Sequence, residues 1–209
     1  MMDFLISLPR DKILEVAGFC IGLLYLWWEY HANPRLWFAS IVMPTISMWI
    51  YFSKGLYADF AINIYYFLIA IYGYLTWTRN RHRDVEPEKA DEKKAEERPI
   101  VNIPRRQLLG CSATFIVLWV ALYLGLRFLT DSTVPLADSF TTALSIVAMW
   151  MLARKYLEQW IAWIAVDAVC IVLYAYKGIY LYAVLYALYT VIAFMGLRNW
   201  RRIMRSGGV

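Results

Sequence analysis

What this chain can fold into is limited first by its apolar runs. Seven of them follow one another, at Leu14–Tyr30, Leu36–Phe52, Leu56–Trp77, Gln107–Leu129, Asp138–Leu152, Leu157–Tyr176 and Ile179–Trp200. A helix of about 20 residues, rising about 1.5 Å per residue, crosses the hydrocarbon core of a bilayer. Inside that core only helices and closed barrels satisfy their own backbone groups. The expectation is an all-α integral membrane protein with seven transmembrane helices, a single transmembrane domain over residues 1–209. Arg10 and Lys12 ahead of the first run look superficially like a signal peptide. No small-residue cleavage site follows, and the run closes on Trp27, Trp28, Glu29 and Tyr30, residues suited to the membrane interface, so this span is read as retained.

The basic residues assign sides. Arg35, nine residues between Arg79 and Arg106, Arg154, Lys155, Arg198, Arg201, Arg202 and Arg205 are sixteen of the 21 Lys and Arg, and they fall in the loops after spans one, three and five and in the C-terminal tail. Arg10, Lys12, Lys54, Arg127 and Lys177 lie on the opposite side. Sixteen against five makes the first side cytoplasmic. Without the charged linker 79–106 the margin is seven against five, so the linker carries much of this inference. The N-terminus is placed outside and the C-terminus inside. The net charge of +5 is thereby topogenic and is no sign of nucleic acid as a partner.

Several chemistries are absent from the pattern. Cys20, Cys111 and Cys170 each sit inside an apolar run at spacings that suit neither zinc nor a disulfide framework, and they read as packing residues. His31 and His82 lie near loops. No Gly-rich nucleotide loop, zinc-protease helix or serine nucleophile elbow occurs. No cofactor, metal site or catalytic set is expected, and an ATP-driven pump within one chain is disfavoured.

The sixth span carries the chemistry that stands out. Gln159, Trp160, Trp163 and Asp167 interrupt its apolar run. Trp160, Trp163 and Asp167 recur at helical spacing, so one face presents two large rings and a carboxylate. Rings offer stacking and cation–π attraction and the acid a counter-charge, which suits a flat cationic ligand. The plainer alternative is an interfacial tryptophan and a structural carboxylate. In the third span Asp59, Asn63, Tyr66 and Ala70 share a face, and polar groups aligned inside lipid should look into the bundle, toward the face of Trp160, Trp163 and Asp167. Asp59 sits close enough to the helix end to be only a cap. Pro44 should kink the second span.

An internal repeat turns these spans into an architecture. Lys54-Gly55-Leu56-Tyr57 recurs as Lys177-Gly178-Ile179-Tyr180, an offset of 123. The same offset pairs Glu15 with Asp138, Trp27 with Trp150, Trp37 with Trp160, Tyr66 with Tyr189, Ala70 with Ala193, Gly73 with Gly196, Trp77 with Trp200 and Arg79 with Arg202. Spans one to three (14–78) thus match spans five to seven (138–203), and the span at 107–129 connects them. An even number of crossings separates matching spans, which gives two parallel three-helix repeats in a 3+1+3 order.

The segments LYADFAINIYYFLIAIYGYLTW from Leu56 and LSIVAMWMLARKYLEQWIAWIAVDAV from Leu144, with the YKGIY turn, the closing RNWRR and an E-[NQ]-W-x-x-W element at Glu158 to Trp163, resemble the PnuC family of bacterial vitamin transporters. The resemblance implies a SWEET-like 3+1+3 bundle in the bacterial inner membrane. It implies facilitated uptake of a water-soluble vitamin, nicotinamide riboside in the best-known members and thiamine in others, without ion or ATP coupling. A cytoplasmic vitamin kinase would trap the substrate, and a homotrimer is compatible with it. Carried over by position, ligand contacts fall on Asn63, Gln159, Trp160 and Trp163, to which the helical faces add Tyr66 and Asp167. The nicotinamide riboside pattern has Gln at the position of Asn63, Asn at that of Gln159 and often Asn at that of Ala70. Moving an amide by one methylene changes which ligand is satisfied, since unpaired buried polar groups are costly. Nicotinamide riboside and thiamine, both flat cations, therefore stay open. Phosphorylated forms are disfavoured, because no Lys or Arg occupies a span core to receive a phosphate.

Two other classes bear weighing. An intramembrane enzyme would need a catalytic pair; Glu15, Glu29, Asp138 and Glu158 lie within one residue of a span's end, which leaves Asp59 and Asp167 as the acids to consider. A non-transporting receptor would bind ligand without moving it. The topology gives a direct test: a periplasm-dependent reporter fused after Arg205 should be silent and a cytoplasm-dependent one active, and the reverse would overturn the charge argument.

Overall fold

The computed structural model describes residues 21–53, 57–78 and 98–206, with only the backbone of 57–59. The start of the first span, Cys20, the Lys54-Gly55 turn, the Asp59 side chain and the linker with His82 lie outside the described residues. Seven helices are described: α1 (21–30), α2 (Leu36–Ser53), α3 (Tyr57–Thr78), α4 (Arg105–Leu129), α5 (Pro135–Ala153), α6 (Gln159–Tyr176) and α7 (Tyr180–Arg205). Six of them, α2 to α7, are long and apolar enough to cross a membrane. The all-helical membrane fold expected from the apolar runs is thus the fold observed.

The boundaries shift where local chemistry overrides hydropathy. α5 starts at Pro135, because proline at the first helical position has no N–H to leave unsatisfied and its φ is preset for a helix. α7 runs on past Trp200 to Arg205, with Arg202 and Arg205 in its last turn, where cations suit the negative end of the helix dipole. α2 continues unbroken through the buried Pro44.

The chain divides into two compact units at Ile71/Tyr72, within α3. In the first unit, the buried residues of α2 are Leu36, Trp37, Ala39 and Pro44. In the second, α6 packs along α7, α4 on α5 and α5 on α6. None of the residues of α4 is buried among the described residues. Phe128, at 75% exposure, and Leu129, at 84%, show the pattern. A surface this apolar would be an aggregation hazard in water, whereas lipid accepts it without cost.

The charged linker 79–106 does not run free up to Arg106, because its last part packs on the protein. Val101 forms an isolated parallel β-bridge with Tyr156. Val101 N–H donates to Lys155 O at 3.2 Å, and Leu157 N–H donates to Val101 O at 3.0 Å. Ile103 joins Val147, Met151 and Tyr156 in a buried cluster. The alternating charges upstream hid this short apolar foothold.

One backbone corner recurs at the offset of 123 residues. At the end of α1, His31, Ala32 and Asn33 N–H donate to Trp27 O (3.2 Å), Glu29 O (3.0 Å) and Trp28 O (2.8 Å). At the end of α5, the same three bonds recur 123 residues on: Arg154, Lys155 and Tyr156 N–H donate to Trp150 O (3.2 Å), Leu152 O (2.9 Å) and Met151 O (3.0 Å). Ala32 and Lys155 hold matching left-handed φ values of 51° and 54°. This is the Schellman pattern, which normally takes glycine, as it does at Gly178 with φ 73°. A residue with a Cβ costs roughly 1–2 kcal/mol there. At Lys155 the cost is offset: its ammonium lies 4.3 Å from the Trp77 ring centroid, and Trp77 Nε1 donates to Leu152 O at 3.2 Å.

Trp37, Trp77, Trp160 and Trp200 head the fully buried side chains by volume, and they are two repeat pairs. Trp160 and Trp200 meet edge to face at 5.7 Å, and Trp77 and Trp200 lie 6.2 Å apart. Trp160 enters α7 at Gly196, where a Cβ would fall 2.5 to 2.7 Å from three atoms of its six-membered ring. Gly196→Ala should therefore destabilise the protein by about 1–3 kcal/mol, the usual cost of overpacking. Thermal unfolding in detergent should show a lower Tm, and Trp160→Phe in the same chain should recover most of the loss. An unchanged Tm for the single variant would mean that this contact does not set the spacing of α6 and α7.

Candidate functional site

The first turn of α6 is positioned from outside its own helix. Ile103 N–H donates to Glu158 Oε2 at 2.9 Å, and the Tyr156 hydroxyl bonds Gln107 Oε1 at the start of α4. Glu158, noticed in the sequence as part of a motif, thus acts as an acceptor that ties the α5–α6 loop to the chain before α4. Beside it, the Arg154 guanidinium lies 5.3 Å from the Trp150 ring and 6.0 Å from Tyr72. Burial and this neighbouring cation hold Arg98 below its ordinary pKa.

From that fixed start, α6 turns its polar side chains inward. Gln159 is fully buried and Trp160 is 1% exposed, while Trp163 is half-buried and Asp167 is 6% exposed. Both amide atoms of Gln159 and the indole Nε1 of Trp160 and of Trp163 are buried with no hydrogen-bond partner among the described residues. Among the described residues of its own unit nothing donates to the Asp167 carboxylate, whose electrostatic neighbours are Cys170, Tyr186 and Tyr189.

Other polar side chains in the helices behave differently. The hydroxyls of Ser40, Thr45, Ser53, Thr76 and Thr190 donate to the carbonyl four residues back, at 2.7 to 3.0 Å. In lipid that is the usual solution. An unpaired buried polar group costs about 1–3 kcal/mol, and α6 concentrates several of them over two turns. Such a face has two donors on ring systems, an amide able to give and accept, and a carboxylate, all without a hydrogen-bond partner among the described residues. Chemically it can grip a flat, polar, cationic molecule.

The remaining expected residues are in the first unit. Asn63 and Tyr66 are half-buried on α3, and Ala70 on the same face is fully buried. The Tyr66 ring lies 5.7 Å from Tyr65. The structure also buries a group that the sequence reading placed only by its depth along the span. Glu29, read as interfacial, is 2% exposed, with the Tyr25 hydroxyl of the preceding turn bonded to it. The one available signal was the four-residue spacing of Tyr25 and Glu29. Trp160 also proves more committed to packing than its sequence position suggests, since Gly196 lies against its six-membered ring and Trp200 meets it at 87°.

Comparison with known proteins gives this site its context. A family model described as nicotinamide mononucleotide transporter matches residues 12–202. The nicotinamide riboside transporter PnuC of Escherichia coli (strain K12) is 29% identical over 218 residues, covering 95% of this chain and 87% of that protein. The riboflavin/roseoflavin transporter RibM of Streptomyces davaonensis is 28% identical over 132 residues, covering 63% of this chain and 58% of its own. The fold is similar to the crystal structure of the vitamin B3 transporter PnuC, with a TM-score of 0.63 and 22% identity over 89% of this chain and 79% of that one. With nearly the whole chain matched, the protein belongs to the nicotinamide mononucleotide transporter family, and it is a membrane transporter, not an enzyme.

Proposed function

We propose that this protein facilitates the uptake of nicotinamide riboside across the bacterial inner membrane. The observation that carries the reading is the α6 face, where Gln159, Trp160 and Trp163 keep unspent hydrogen-bonding groups beside aromatic rings and Asp167 follows one turn on. Trp163, the more accessible ring, stacks on the pyridinium. Trp160 forms the floor of the site and offers its Nε1–H. Gln159 bonds the carboxamide or ribose, and Asp167 is counter-charge or hydroxyl acceptor. Asn63 and Tyr66 contribute further polar contacts from α3.

The mechanism follows from the repeat. The matched turns at Ala32 and Lys155 support two parallel three-helix halves joined by α4, which rock against each other to give alternating access. Phosphorylation of the arriving vitamin by a cytoplasmic kinase prevents its return, so the carrier needs no ion or ATP coupling. The basic C-terminal turns of α7 favour a cytoplasmic C-terminus and an outside N-terminus. Assembly as a homotrimer fits the same reading.

The riboside is preferred to the mononucleotide because the interiors of the spans carry no Lys or Arg to meet a phosphate. Thiamine is the second substrate reading, since its thiazolium is also a flat cation. A relative named for riboflavin supports a family that handles ring-bearing vitamins.

Tryptophan-fluorescence titration of the purified protein with nicotinamide riboside and thiamine in parallel separates these readings. Nicotinamide riboside should quench in the micromolar range, and Trp163→Ala should weaken binding at least tenfold, or about 1.4 kcal/mol. Quenching by thiamine alone would transfer the assignment to that vitamin. No response to either would remove the vitamin reading and leave the family assignment standing.

A further inference from the structure

The site on α6 has an approach built from tyrosines that the substrate reading did not use. Tyr182, Tyr186 and Tyr189 follow one another along one face of α7. Tyr174 of α6 inserts between the first two, stacked on Tyr182 at 5.3 Å and 26° and on Tyr186 at 5.3 Å and 10°. Tyr186 then meets Tyr189 edge on at 5.8 Å and 81°. Exposure falls along this line, from 49% at Tyr182 to half-buried rings at Tyr174, Tyr186 and Tyr189 and then to the buried Asp167.

Two carboxylates accompany the rings. Asp167 acts electrostatically on Tyr186 and Tyr189, and Asp138 acts on Tyr174. Asp138 is held by Lys177 at 3.8 Å and by the Ser132 hydroxyl at 3.0 Å. Both partners of this ion pair are about a third exposed, so it is weak and readily exchanged for another cation.

The repeat supplies a second, independent observation. The offset of 123 sets Asp59, Asn63, Tyr66 and Ala70 of α3 against Tyr182, Tyr186, Tyr189 and Ala193 of α7. The helix face that is polar in the first half is therefore the face that carries the tyrosines in the second. Tyr176 and Tyr180, off this face, are 80% and 70% exposed and take no part in the stack.

We propose that Tyr182, Tyr174, Tyr186 and Tyr189 form a path along which a flat organic cation, of the pyridinium or thiazolium class, passes from Asp138 to Asp167. Tyr174, with Tyr182 stacked on it on one side and Tyr186 on the other, aligns the rings, and the cation exchanges the negative π-surface of Tyr182, Tyr186 and Tyr189 one for the next without being stripped of favourable contacts. The proposal rests on the chain being a carrier of such cations, and its test separates the two claims.

Single cysteines replace the ring residues one at a time (Tyr182→Cys, Tyr186→Cys, Tyr189→Cys) in a chain whose Cys20, Cys111 and Cys170 are changed to Ala. The proteins, in liposomes, meet two membrane-impermeant methanethiosulfonates, one bearing trimethylammonium and one sulfonate. All three positions should react, Tyr182→Cys fastest. The cationic reagent should lead at least fivefold at 186 and 189, and Asp167→Asn should abolish that lead. No reaction at 186 and 189, or equal rates for both reagents, overturns the path and leaves the stack as packing between α6 and α7. Charge-selective labelling that nicotinamide riboside and thiamine fail to slow would support the path while removing the vitamin reading.

A second measurement keeps the rings in play. In stopped-flow quenching by nicotinamide riboside, Tyr174→Leu should slow association and dissociation alike by at least fivefold with Kd within twofold, and Tyr174→Phe should behave as wild type. A weaker Kd with unchanged association would place Tyr174 in the final site and overturn its role on the path.

Discussion

Between helices in a bilayer there is no hydrophobic drive to associate, because lipid is as apolar as leucine. Contacts must instead come from close fit and from polar groups that find each other. The seating of Trp160 on Gly196 is the clearest case in this protein. It uses the one residue without a Cβ to bring a large ring against a helix backbone, with Trp200 closing over its edge. The placement of α6, and so of every polar group on it, depends on that fit together with the Glu158 and Val101 hydrogen bonds at its start.

The same scarcity of polar contacts explains why the α6 face stands out. Serines and threonines bond their own helices, whereas Gln159 and the indoles of Trp160 and Trp163 have no partner among the described residues. In the reading proposed above, these groups are kept for something that arrives and departs. Transport favours this arrangement over a fully satisfied one, since a site that bonds itself well has little to gain from a substrate.

Much of this was legible in the sequence. The described helix ends followed from the apolar runs to within two residues except where Pro135 or the C-terminal arginines extended a helix beyond its hydrophobic part. Gln159, Trp160, Trp163 and Asp167 were visible as exceptions within an apolar run. The rest was hidden by the solvent. In water, hydropathy separates inside from outside, but in lipid both are apolar, so the burial of Glu29 and the inward turn of Tyr174 left no periodic trace. The Val101 bridge was obscured for another reason, since it is a few residues of pairing at the margin of a charged stretch.

The left-handed turns at Ala32 and Lys155 bear on how such a chain arises. Both keep the same φ and the same three hydrogen bonds although neither is glycine and the two residues share no chemistry. Duplication and divergence would have transmitted this corner as a shape while its occupant changed from one copy to the other. Ancestry in such proteins is then better preserved in dihedral angles than in letters, and a search for duplicated halves would do well to compare corners before comparing residues.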